Sequence, residues 1–149
     1  MYSMDELPLQ DLQNFWSLLY MDFCRKICTD HPAEGETVIR RAIAETGRRQ
    51  GEWQRQEHEQ MGLNTNLHSF FLDGRGAVCD PRSAAAVHTR NTEVCLWDRY
   101  ICPMANYWAA HSAEAYGRFY CEEYMRAFLS GYTGGKGQFH LSKVLTDKR

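Results

Sequence analysis

The sequence predicts an α+β domain, with several helices packed on a small antiparallel sheet. Three observations carry that expectation. Apolar residues recur at three- and four-residue steps through two long stretches in the N-terminal half. Val87 to Cys102 is instead rich in β-branched, aromatic and cysteine residues and alternates with period two. A further helical stretch, strongly aromatic, runs from about Met104 to Ser130.

The totals agree with a single domain. A chain of 149 residues can bury one continuous core, and 44% hydrophobic with 13% aromatic residues excludes disorder. The net charge of −2 creates no global field for nucleic acid or an anionic membrane. The longest charged stretch, Glu34 to Glu59, holds six acids against five arginines, which is a mixed solvated helix face. Neither nucleic acid nor a membrane is an expected partner, and no run approaches the ~18 apolar residues that a bilayer span needs. The N-terminus lacks a basic segment followed by an apolar run and a cleavage site. The six cysteines are therefore expected as reduced thiols in the cytoplasm.

In the first helix Leu9, Leu12, Phe15, Trp16, Leu19, Phe23 and Ile27 form a wide apolar stripe of the kind that faces a core. Pro8 suits its first turn, and His31-Pro32 ends it. Cys24 and Cys28, four apart, share one face. Two thiols fall short of the roughly four ligands of a zinc site, so they read as core packing.

The second helix is expected from about Ala33 to Met61, ended by Gly62, with Val38, Ile39, Ala42, Ile43 and Trp53 on its buried side. Gly47 and Gly51 inside it each cost about 1 kcal/mol relative to alanine. Two such costs one turn apart imply a close backbone approach, by another helix or by a substrate.

Residues 62–82 collect turn signals: Gly62, Asn64, Asn66, Asp73-Gly74, Gly76 and Asp80-Pro81. Leu67, Phe70, Phe71 and Leu72 interrupt them with a short helix or strand. The period-two segment follows, with Asn91-Thr92 as the turn of a hairpin and Pro103 as its end. Val94, Leu96, Tyr100 and Cys102 should face one way; Cys95, Trp97, Arg99 and Ile101 the other. The aromatic helix should break near His111-Ser112, with Ser112 capping the new segment. Tyr116, Phe119, Tyr120, Tyr124 and Phe128 mark its aromatic face, and Gly131 its C-terminal cap. The glycine-rich loop Thr133 to Gly137 lacks the pattern of a phosphate loop. Phe139, Leu141 and Val144 suggest a last strand. Nothing strand-like follows before Arg149, which fits either a domain incomplete at its C-terminus or one ending on a sheet edge.

Residues able to do chemistry concentrate in the C-terminal half, where Cys95, Cys102 and Cys121 accompany His88, His111 and His140. A thiol needs a nearby base or cation to act as a nucleophile near neutral pH. Cys102 stands before Pro103 at a strand-to-helix junction, which can expose a side chain while helix N-terminal amides favour a thiolate. Cys121, within a helix, has buried packing as its ordinary alternative. Arg90 can fork onto a substrate carboxylate, or else pair with Glu93. No HExxH or CxxC pair occurs, so no cofactor is predicted, and a metal is left open only as a site assembled from scattered His and Cys.

Three strings in order carry a resemblance: GETVIRRAIAETGRRQG (Gly35 to Gly51), CPMANYW (Cys102 to Trp108) and YGRFYCEEYMRAFLSGY (Tyr116 to Tyr132). Together they resemble the family of L-2-amino-thiazoline-4-carboxylic acid hydrolases, over about Ala33 to Leu145. The resemblance implies a small hydrolase that opens a cyclic amidine thioether to a carbamoyl-cysteine product, cleaving a non-peptide carbon–nitrogen bond. The chain departs from the family at Met125, where an acidic residue is expected, and ends before a further cysteine-containing strand.

For that chemistry we assign Cys102 as first and Cys121 as second candidate nucleophile, with His88 or His111 shuttling a proton. Arg90 or Arg49 would hold the substrate carboxylate, with Trp108 on the substrate side. Two other readings use the same residues: a non-catalytic small-molecule-binding protein, and an accessory protein of a biosynthetic pathway that forms a homo-oligomer through its aromatic surface.

Overall fold

The computed structural model describes residues 9–71 and 84–147. Pro8, Leu72, Cys79 and the turn signals Asp73-Gly74, Gly76 and Asp80-Pro81 lie outside the described residues. Within them the fold is α+β: five helices and a two-stranded antiparallel sheet. The helices are α1 (Leu9–Asp30), α2 (Gly35–Gln60), α3 (Leu67–Phe70), α4 (Pro103–Ala110) and α5 (Glu114–Thr133). The strands are β1 (Ala84–Arg90) and β2 (Cys95–Ile101).

The centre of the fold is the packing of α2 on α5. Ile39, Ile43, Gly47, Gly51, Gln54 and His58 recur every three or four residues and form the buried stripe of α2. The two glycines are where α5 comes closest. A Cβ on Gly47 would lie 2.6 Å from the Tyr124 carbonyl oxygen, and one on Gly51 2.1 Å from that of Phe128. Another helix, not a substrate, accounts for both positions. Gly131 answers them from α5, where a Cβ would meet the Arg48 carbonyl oxygen at 2.2 Å. Gly131 is thus a crossing residue, and the left-handed cap of α5 is Gly134, with φ of 62°.

Several expected features shift. Val38 and Trp53, assigned to the buried side of α2, are about half exposed. The apolar stripe of α1 is largely exposed too, and its buried face is Ser17, Met21 and Cys24. The aromatic helix breaks at His111-Ser112, yet Ser112 does not cap α5. It takes a left-handed φ of 54°, and Ala113, without a side-chain bond, is the N-cap. Phe139 to Val144 forms no strand. Phe139 instead lies against Trp97, with ring centroids 6.2 Å apart, and Val144 is buried. Side-chain burial held these residues without any ladder partner.

The hairpin follows its period. Cys95, Trp97 and Arg99 are partly buried while Leu96, Asp98 and Tyr100 are exposed. Cys95 and Trp97 pack on the Phe70, Phe71, Phe128, Leu129 and Tyr132 cluster. Ile101, expected on that inner face, is exposed, as the strand gives way to α4.

Candidate functional site

The hairpin delivers the chain to Cys102, the N-cap of α4, in extended conformation with φ −134° and ψ 114°. Pro103 occupies the first helical turn, where its missing N–H costs nothing. The Cys102 side chain makes no capping hydrogen bond and is partly exposed.

Cys121, on α5, lies within electrostatic reach of both Cys102 and Arg99. Burial pushes the Cys121 thiol up to about 12; charge on Cys102 adds to the rise, Arg99 opposes it, and Glu122 and Asp147 reinforce it. Cys121 is therefore a protonated thiol at neutral pH, which a nucleophile cannot be. Arg99 is the cation of this corner. Its Nη2 is buried and has no hydrogen-bond partner among the described residues. Tyr120 closes the corner. Burial holds its hydroxyl well above the ordinary range, with Tyr124, Cys121 and Cys102 acting in the same direction.

The other sequence candidates stand apart from this corner. His88 Nε2 donates to Asp98 at 2.8 Å on the exposed side of the hairpin, opposite the side that carries Arg99. His111 caps the far end of α4, roughly 13–14 Å along the axis from Cys102 by helix rise. There its Nδ1 donates to the Tyr107 carbonyl at 2.8 Å, and its ring stacks on Tyr107 at 4.2 Å. Trp108 is fully buried, donates from Nε1 to the Ser17 carbonyl at 3.0 Å, and locks α4 onto α1. Arg49 is exposed on α2, and the Arg90 side chain lies outside the described residues. The structure thus brings Cys102 and Cys121 together and adds Arg99, but brings neither histidine to them.

Two arrangements escaped the sequence reading. His58 and Tyr132, both fully buried, meet at 2.7 Å between Nδ1 and the phenol oxygen. The signal was present, since His58 continues the four-residue stripe from Ile39 through Gly51. Arg40 lies over the Phe119 ring at 4.6 Å and bonds Glu36, Glu122 and Glu123 at 2.7, 2.8 and 3.0 Å. Arg118 joins the same network through Glu122 and Asp147. These groups satisfy one another and read as structural.

Among the described residues no three His, Cys, Asp or Glu side chains gather to hold a metal ion, and no helix is long and apolar enough to cross a membrane. Cys24, Cys28, Cys102 and Cys121 are free thiols. No known protein family, curated protein or solved structure matched the chain.

Proposed function

We propose that the chain is a hydrolase that opens a small five-membered cyclic amidine, with Cys102 as nucleophile and Arg99 as the substrate's carboxylate anchor. The observation that carries this reading is Arg99, whose buried Nη2 donor has no partner among the described residues and which shares the Cys121 corner with a partly exposed thiol at a helix N-terminus. A buried donor left open is where an anionic group gains most from docking. The three sequence strings supply the ring chemistry.

In this mechanism the Cys102 thiolate adds to the amidine carbon, forming a carbon–sulfur bond. The ring carbon–nitrogen bond then breaks, and the departing nitrogen takes a proton from solvent, since His88 and His111 are held away from the thiols. Water adds to the same carbon and expels the Cys102 sulfur as thiolate. One water is consumed, and a carbamoyl product is released. Cys121 stays protonated and packs beneath the site.

That His88 and His111 are both held elsewhere favours a second reading, in which the same residues bind a small carboxylated ligand without turning it over. Mass spectrometry after incubation with cyclic amidines and hydantoin-like compounds separates the two. Product that vanishes in Cys102→Ala and persists in Cys121→Ala supports the hydrolase. Thermal stabilisation by the ligand with no product supports binding alone, and turnover unchanged in Cys102→Ala removes the thiol from the mechanism.

A further inference from the structure

α1 and α2 run back to back across a short link, and α5 closes one side of the pair. Among the described residues nothing covers the opposite side. Between α1, α2 and α5 lies a groove of about 530 Å³. Cys24, Ile43, Tyr120 and Tyr124 are among the residues that line it, with Trp16 and Phe23 on the α1 side. The apolar surface does not stop at the groove. Phe15 is 63% exposed and Phe23 60%, with Leu12, Leu19 and Val38 also open to solvent.

We propose that this face is the interface of a homodimer, in which the α1–α2 pair of one copy meets that of a second in a four-helix layer. The area is of the right size. Phe15, Phe23 and Trp16, each partly exposed, present on the order of 100 Å² apiece, and Leu12, Leu19 and Val38 somewhat less, so the six amount to roughly 500 Å². The groove walls add to this, against the about 800 Å² per partner of a stable interface and the 300–600 Å² patch common on monomers.

The pattern on α1 is also self-complementary. Phe15 and Phe23 lie one helical turn to either side of Leu19. A two-fold axis at Leu19 sets the two α1 helices antiparallel, with each Phe15 against the partner's Phe23. The same symmetry brings Asp11, in the first turn of α1, toward the partner's Lys26 near the other end, where Lys26 already pairs with Asp30 of its own chain at 2.7 Å, so each rim would hold one lysine between two acids. A small apolar ligand fits less well. It would fill the groove yet leave Phe15 and Leu19, which do not line it, in water.

Sedimentation velocity of the full chain over a wide concentration range tests this. The expected mass is twice that of the chain, halving in the Phe15→Asp, Phe23→Asp double variant with its helical circular dichroism retained. Leu19→Lys and Leu19→Glu should each be monomeric, and an equimolar mixture should regain the dimer mass, a rescue that misfolded chains would not give. A wild-type monomer at every concentration overturns the proposal, including one stabilised by an apolar small molecule. So does a dimer indifferent to the double variant, or a Leu19 mixture that stays monomeric.

Discussion

Gly51 of α2 meets the carbonyl oxygen of Phe128 on α5 so closely that a Cβ would stand 2.1 Å from it and 2.7 Å from the Tyr132 nitrogen. Both neighbours are backbone atoms, which cannot rotate aside. The helix crossing at the centre of the fold therefore depends on a missing side chain.

Gly51→Ala should destabilise the protein. Alanine gains about 1 kcal/mol of helix propensity, but forcing the helices apart costs on the order of 3 kcal/mol or more. The expected net loss is about 2 kcal/mol, read from urea unfolding of the purified variant. An unchanged or raised midpoint would contradict the crossing.

Tyr132→Phe removes the phenol that meets His58 at 2.7 Å in the interior. The loss of a buried polar contact of this kind costs roughly 1–3 kcal/mol. His58→Phe should cost at least as much, because it alters volume as well as bonding. Equal unfolding midpoints for Tyr132→Phe and wild type would show that the contact contributes nothing.

Thiol reactivity should separate Cys102 from Cys121. With its thiol pushed up to about 12, Cys121 at pH 8 is ionised in only about one molecule in ten thousand, against roughly a quarter for an ordinary cysteine. Timed iodoacetamide labelling with peptide mapping should modify Cys102 well before Cys121. Cys24, raised to about 11 by burial, should also lag. Early labelling of Cys121 in the folded protein would count against this assignment.

Acid should weaken the link between α2 and α5. Burial acts to raise Glu122, but the hydrogen bonds and charges of Arg40 and Arg118 outweigh it and hold the carboxyl below its ordinary 4.5. A carboxylate lowered in the folded state stabilises above its unfolded value and loses that contribution as pH falls through the folded one. Thermal melts of Glu122→Gln should accordingly lose less stability than wild type as pH drops below about 4.5. Parallel losses in both proteins would place the acid sensitivity elsewhere.

Much of the architecture was legible because it rests on local periodicity. The four-residue steps of α1 and α2, the alternation of β2, and the break at His111-Ser112 each follow from how side chains project from a helix or strand. The glycines of α2 announced a close approach, since an internal glycine is costly unless something needs the space. The last segment misled because Phe139 and Val144 carry strand-like side chains, while strand formation needs a partner ladder that chain-local pattern cannot supply.

The candidate site was legible only in part. Cys102 before Pro103 stood out, and alternation put Arg99 on one face with Cys95 and Trp97 without saying that this face is the inner one. That the Arg99 guanidinium holds a buried donor with no partner among the described residues, close to Cys121, depends on how the hairpin folds over α5, a contact between segments about 20 residues apart. His88 and His111 were plausible bases by composition. The exposed side of the hairpin and the far end of α4 keep them from the sulfur.

By itself the sequence determined the long helices and the alternating strand before Pro103, that the chain has an apolar core, and that its charge is balanced, since these depend on neighbours a few residues apart and on composition. Only the tertiary structure decided which face each helix buries. Two apolar stripes competed on α1 and α2, and the glycine-lined approach of α5 could bury one and leave the other in water. The same packing decided which ionisable groups meet, because charges and thiols interact through space, and distance in space is fixed by how the helices cross.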